Sequence, residues 1–358
     1  MPQVMDGDDA LSSRKDAVEN KHPASDDKQV HFGSPTPLPK RDINKVSSNR
    51  TGRGALSPLG SKDMALTDPQ PRCLFFDVFG TCVDWRKTVT DTLWDETRKA
   101  LSSPSSSIAS RIRMVASEMT YDEWGEVAQE WRNGYLKFTR DIAADGNRAW
   151  KTVDEHHLES LREILTERGL LFPRADDTPV NLVHDGSLWD EQQIRDISMV
   201  WHRLGPWPDT AQGIQELNRL FWTCTLSNGN LALLRDMVEH AGMEFTHVFS
   251  AEMFKSYKPN PAVYLGAAEK MGLKPEECCM VAAHLDDLKA AKANGFRTIY
   301  VERPLEERHP ELKEEGFVDL WVGIGQEGFV AAAEKLGCQI LRARRRSGSA
   351  PQLLKQEE

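Results

Sequence analysis

Residues 74–86 read "LFFDVFGTCVDWR", and their reading decides the fold. Three apolar side chains run directly into an acid, Asp77, after which the chain passes Gly80 and Thr81. A short unbroken apolar run is how a parallel strand covered on both faces is written. Gly80 permits a sharp turn at the strand end, and Thr81 carries a hydroxyl able to reach back to the carboxylate. An acid held this way either has the seat of a nucleophile or caps the loop that follows the strand. Two residues further on stands Phe79, which has no proton to donate.

Working outward, "RCLFFDVF", "FWTCTLS", "ECCMVAA", "FRTIYVE" and "VDLWVG" are runs of the same kind. Helical periods fill the intervals at 229–242, 260–272, 284–295 and 327–337, several of them closing on Gly. Strands alternating with helices predict an α/β fold, a Rossmann-like doubly wound parallel sheet with ligands at the carboxyl ends of its strands. One interval differs. From about 87 to 205 there are long amphipathic stretches, including "TYDEWGEVAQEWRNGYLKFTRDIAA" and "DEHHLESLREILTERG", and no buried strand. This predicts an inserted helical cap domain over the sheet's active edge, with loops at 101–110 and 172–187. The core is then expected at 72–86 and 206–340.

Residues 1–71 are rich in Ser, Asp, Lys, Pro and Gly and lack a helix or strand period, so a disordered extension is expected. Ser34-Pro35 and Ser57-Pro58 are candidate phosphorylation sites within it, and the sequon at Asn49 is read as chance. The basic end, 341–358, is expected to be a solvated tail, with a localisation signal as the alternative reading of its basic run.

The chain has 358 residues and a net charge of -10, which argues against nucleic acid as a partner and leaves small molecules or proteins. No window approaches the roughly 18 apolar residues of a membrane span. The first residues carry neither a signal-peptide nor a transit-peptide pattern, so a cytoplasmic location is expected. Six scattered cysteines, none in a zinc-ligand spacing, are expected to be reduced and buried.

Three later segments bring further chemistry to strand ends. "TLSNGN" (225–230) presents Ser227 and Asn228 ahead of a helix N-terminus, as an anion site or an N-cap. "SYKPNPAVY" (256–264) delivers Lys258 before two prolines, with Tyr264 a turn into the next helix. "VAAHLDDLKAA" (281–291) supplies His284, Asp286 and Asp287.

In order, D-x-F-G-T-x-x-D, S-N, K-P and the strand followed by D-D resemble the haloacid dehalogenase (HAD) superfamily, in its L-2-haloacid dehalogenase (type II) branch, over about residues 73–337. The resemblance implies a Rossmann-like core with an inserted helical cap. Phosphatases of that superfamily place an acid two residues after the nucleophile and bind Mg²⁺ through the nucleophile and a fourth-motif acid. Here those positions are Phe79 and Ala283. The expected chemistry is therefore hydrolysis without a cofactor or metal, with a leaving group that needs no proton, such as halide.

On that resemblance Asp77 displaces halide from C2 of a 2-haloacid, and water activated by Asp287 hydrolyses the resulting ester. Thr81 and Ser227 orient the groups, Lys258 supplies positive charge, and Asn228 and Arg132 receive the halide. Phe79, Tyr264 and His284 complete the substrate-binding set, and a homodimer is implied by the cap type. Three positions depart from the pattern: Ala282 replaces a serine, His284 an asparagine and Asp286 an aromatic residue. His284 reads either as a polar group for the water or as a helix N-cap. A phosphatase of the same fold and a non-catalytic scaffold stand as the rival readings.

Overall fold

The computed structural model describes residues 70–145, 148, 150–172 and 186–340. The N-terminal stretch through residue 69 with its two Ser-Pro sites and sequon, most of the 172–187 loop and the basic tail lie outside the described residues.

All five expected runs form strands: β1 (Cys73–Phe76), β2 (Trp222–Thr225), β3 (Cys278–Ala282), β4 (Arg297–Val301) and β5 (Leu320–Val322). They make one parallel sheet in the order β2-β1-β3-β4-β5. Successive residues of β1 point to opposite faces. Phe75 meets Phe249 and Phe296 on one side, while Phe76 meets Phe245 and Phe329 on the other. Covering both faces is what makes an alternating strand pattern unnecessary, and β1 is buried throughout.

The helices after β2 are α7 (Leu231–His240), α8 (Pro261–Lys270), α9 (Leu285–Ala293) and α10 (Gly328–Lys335). Each is three or four residues shorter than its sequence pattern, because flanking residues serve as caps. Asn260, for example, accepts from Ala262 N ahead of Pro261 at the first helical position. Just before β2, α6 (Thr210–Leu217) packs against α10 so closely that a Cβ on Gly213 would lie 2.3 Å from that of Phe329.

Between β1 and α6 the described residues form five helices: α1 (Trp85–Ser102), α2 (Ser110–Glu118), α3 (Tyr121–Ala144), α4 (Val153–Glu167) and α5 (Glu191–Ser198), followed by a 3-10 turn at Met199–Arg203. Helix α1 begins two residues before the expected insert because Asp84, last acid of the first motif, caps it by accepting from Lys87 N. Capping boxes at Thr120/Glu123 and Thr152/Glu155 start α3 and α4. The buried stripe of α3 includes Trp124, Val127, Ala128, Trp131 and Tyr135, at helical spacing. It packs against α1 and α4.

Candidate active site at the ends of β1 and β3

In the order β2-β1-β3, the chain leaves β1 toward one neighbour and later returns to its other side, so the switch point lies between β1 and β3. Ligands in open α/β sheets bind in the crevice there. Asp77 directly follows β1, and His284 follows β3 by two residues. A cavity of about 530 Å³ opens at this place, lined among others by Asp77, Arg132, Asn228, Lys258, Tyr264 and His284.

Asp77 is 8% exposed and fully partnered. Its Oδ1 accepts from Lys258 Nζ at 3.0 Å, and its Oδ2 accepts from Thr81 Oγ1 at 2.8 Å and faces His284 Nδ1 at 3.1 Å. Thr81 is pinned in turn, accepting from Ala283 N at 3.0 Å, so one hydroxyl ties the β1 turn to the end of β3. Burial alone would raise the Asp77 carboxyl, but Lys258, His284 and Thr81 hold it well below the usual carboxylate range.

Lys258 bridges two acids. Its ammonium donates to Asp77 and, at 2.5 Å, to Asp287 Oδ2, while Tyr264 donates to Asp287 Oδ1 at 2.6 Å. Burial opposes a charged lysine, yet Asp287 and Asp77 together push its pKa above the ordinary value. Burial pushes the Asp287 carboxyl up, and Lys258 only partly offsets this while Asp77 adds to it. Two acids sharing one ammonium thus behave differently, and Asp77 is the firmly ionised member.

Several expected site residues take other places. Asn228 spends both ends of its amide on Lys258, accepting from the backbone N at 2.7 Å and donating to the carbonyl at 3.2 Å. It fixes the turn that aims the lysine. Ser227 is fully buried and does not line the cavity, and its hydroxyl accepts from Gly229 N at 3.4 Å, a local turn bond. Phe79 lies behind the cavity wall, its ring 5.2 Å from the Arg132 guanidinium. Arg132 itself sits among Phe79, Trp85 and Tyr135, 5% exposed, with Nη1 unpartnered among the described residues. Asp286 lies at the rim, 3.5 Å from Arg140 and 3.9 Å from both Arg308 and His309.

His284 stands at the N-cap position of α9 but makes no side-chain cap bond. Its ring instead spans Asp77 and Glu306, with Nε2 3.1 Å from Glu306 Oε2. Burial would lower its pKa, but hydrogen bonds with Asp77 and Glu306 push it up to about 9. Sequence reasoning missed Glu306, which is buried and also accepts from Trp85 Nε1 at 2.7 Å. It also missed Arg303, whose Nε donates to Thr81 O while its guanidinium pairs with Asp209. The available signal was "VERPLEERH", a burst of charge directly after the buried β4.

Among the described residues no group of three or more His, Cys, Asp or Glu side chains could hold a metal ion. None of their helices is long and apolar enough to cross a membrane.

A parallel Rossmann-like sheet thus carries a buried acid, a lysine and a histidine together at its switch point. Residues 71–295 match the family model for haloacid dehalogenase-like hydrolases. A solved defluorinating L-2-haloacid dehalogenase is 29% identical, with 75% of this chain and 95% of that one covered and a TM-score of 0.60. A second solved L-2-haloacid dehalogenase is 31% identical over 74% of this chain and 99% of the other, with a TM-score of 0.57. (S)-2-haloacid dehalogenase 1 of Pseudomonas sp. (strain CBS-3) is 32% identical over 106 residues, which are 29% of this chain and 47% of that protein. The chain spans about half the length of the first curated relatives it matches. It belongs to the haloacid dehalogenase superfamily, in the L-2-haloacid dehalogenase family.

Proposed function

We propose that this protein is a hydrolase that uses Asp77 as its nucleophile and cleaves the carbon–halogen bond of (S)-2-haloacids, giving (R)-2-hydroxy acids through an aspartyl ester. The observation that carries the reading is the Lys258 ammonium between Asp77 and Asp287. It keeps Asp77 ionised and supplies the positive charge that a small carboxylate substrate needs.

The donor set does not suit a divalent ion. A cation between Asp77 and Asp287 would have to displace a buried ammonium that both acids already bind, and Ala283 offers no side-chain oxygen beside it. Nor does the Phe79 position hold a proton donor, as an alkoxide leaving group would require. Halide leaves as an anion without one.

Formal charge around the cavity points to an anion. Among its lining residues Asp77, Asp286 and Asp287 face Lys258, Arg132, Arg140, Arg308 and a protonated His284, which leaves an excess of positive charge. Arg132, with its unpartnered Nη1 over three rings, is the group that receives the departing halide. Helices α1 to α5 serve as the cap: α3 contributes Arg132, Tyr135 and Arg140 to one wall, and the sheet ends contribute the other.

The reaction has two steps. Asp77 attacks C2 from the side opposite the halogen and inverts the centre. Water then attacks the carbonyl of the ester, restoring Asp77 and releasing the alcohol. The test is halide release from L-2-chloropropionate, its D-enantiomer and fluoroacetate, each with and without EDTA. The L-enantiomer should be turned over with or without chelator. Release that stops with EDTA, or phosphate-ester hydrolysis in its place, would overturn the reading.

A further inference from the structure

Resting on that reading, we infer that the mouth of the cavity carries a second anion subsite, built from Arg140 and Arg308, and that the substrates it selects are (S)-2-haloacids with a second carboxylate at the far end of the chain.

The cavity of about 530 Å³ is much larger than a three-carbon haloacid requires, and volumes of this size ordinarily enclose ligands several times bigger. Its cations lie at two levels. Arg132, Leu136 and Arg140 follow one another at intervals of four along α3, so they share one face of that helix, and all three line the cavity. Eight residues of helix rise about 12 Å, which separates Arg140 from Arg132 by two turns. Arg132 and Lys258 therefore serve the end that holds Asp77, and Arg140 and Arg308 serve the mouth. Leu136, between the two arginines, offers an apolar surface to connecting methylenes.

Charge is balanced at the inner level and not at the outer one. Lys258 and Arg132 stand against Asp77 and Asp287, and His284 against Glu306. At the mouth two guanidiniums meet one carboxylate, Asp286. The contact is loose, 3.5 Å from Arg140 and 3.9 Å from Arg308, beyond an ordinary N–H···O bond. Among the described residues each guanidinium has Asp286 as its ion-pair partner and neither donates a hydrogen bond. Asp286 is anchored from behind, its Oδ1 accepting from Asp287 N at 3.0 Å, so Oδ2 holds the two cations near each other without filling their forks. A guanidinium fork fits a carboxylate bidentately.

Burial lowers the Arg308 pKa; Asp286 opposes this, and the nearby Arg132 and Arg140 add to it. An arriving carboxylate relieves that crowding. The α-carboxylate of the substrate does not meet this need. It is bonded directly to C2 and stays beside Lys258 when C2 meets Asp77, so a second anion further along the chain is what the outer pair can receive. The departure at Asp286 acquires a reason here. Where the resemblance places an aromatic wall, this chain has a carboxylate that gathers cations from α3 and from the segment after β4. The second carboxylate is bound and not transformed, so the reaction gains no step.

The experiment measures kcat/KM for halide release with chain-matched pairs: (S)-2-chloroglutarate against (S)-2-chloropentanoate, and (S)-2-chloroadipate against (S)-2-chlorohexanoate. Members of a pair share their chain length and differ in the terminal carboxylate. In wild type at least one diacid should exceed its monoacid by about tenfold, chiefly through KM, and the advantage should shrink as salt is raised. In Arg140→Gln and in Arg308→Gln the ratio of diacid to monoacid should fall toward one, since each loses a charge-assisted contact that only the diacid makes.

Wild-type ratios at or below one for both pairs would overturn the inference, and so would variants that slow diacid and monoacid alike and leave the ratio where it was. If the variants do not fold, calorimetry on wild type decides: tighter binding of glutarate or adipate than of pentanoate or hexanoate, weakening with salt, supports the subsite, and equal binding overturns it. Halide release from monoacids with no preference for diacids defeats this inference alone. Release from no haloacid of either kind defeats the proposed function, and the same calorimetry then decides the subsite by itself.

Discussion

Lys258 is the residue whose removal separates this account from its rivals. It is 7% exposed and its ammonium satisfies two buried acids. Lys258→Met leaves Asp287 without its counter-charge and Asp77 with His284 alone, a change that costs about 3–5 kcal/mol when a buried pair is broken this way. Chemical denaturation should show that loss, and Asp287→Asn in the same chain should restore part of it by removing one of the stranded charges. Gly80→Ala is argued on equally local grounds. The position needs φ +81°, and the new methyl would fall on Glu306, so activity should drop by at least tenfold even where circular dichroism reports a folded protein. The sequence showed both residues, because each sits in a short motif at a strand end. It concealed Glu306, since 221 residues separate it from Trp85, whose indole donates to it, and no local spacing announces a contact at that range.

At the scale of elements, strands were legible because each is a run buried on both faces, and helix cores because their periods are strong. Helix ends were legible only approximately, as capping takes residues that the apolar period includes. What pattern could not show is how helices from the insert join the core. His202 makes one such junction: buried in the 3-10 turn, it lies 2.7 Å from Asp236 of α7 and 3.1 Å from Asp154 of α4, and Asn230 donates to Asp154 at 2.8 Å. Burial would lower its pKa, but hydrogen bonds to Asp154 and Asp236 raise it above the ordinary value. A raised histidine stabilises the folded state fully below about pH 6.5 and loses that contribution as pH climbs through its folded value. Protection factors of the α4 amides, which divide out the base-catalysed intrinsic rate, should therefore fall as pH climbs above about 6.5. His202→Gln should exchange faster at the low end and lose most of this dependence. Packing gives a second test: Gly213→Ala drives a methyl into the backbone of α10 and should lower stability by about 1–3 kcal/mol in urea titrations.

Taken whole, the described residues gather the ionisable groups of the candidate site around the Asp77 carboxylate from the segments after β1, β2, β3 and β4 and from α3. Its response to pH should reflect that concentration. His284, raised to about 9, adds stability that is complete below about pH 6.5 and fades as pH passes through 9, whereas Asp77, held low, adds stability present above about pH 4 and lost in stronger acid. Thermal midpoints of the wild type should accordingly decline from pH 7 to pH 10, and those of His284→Gln should decline less. Fold and nucleophile could be read from one short segment because buried strands and their end residues are written contiguously. Two partners that tune the nucleophile, Lys258 and His284, stand 181 and 207 residues away along the chain, and only the folded chain assembles them.

The central claim is that the Asp77 carboxylate bonds covalently to carbon. It is tested most directly by a single turnover of L-2-chloropropionate with protein in excess in ¹⁸O water, followed by mass analysis of the product and of the peptide containing Asp77. The account predicts ¹⁸O in the Asp77 carboxylate and an unlabelled hydroxyl in the first 2-hydroxy acid released. Label in that first product, with Asp77 unlabelled, would show that water attacks the substrate directly and would contradict it.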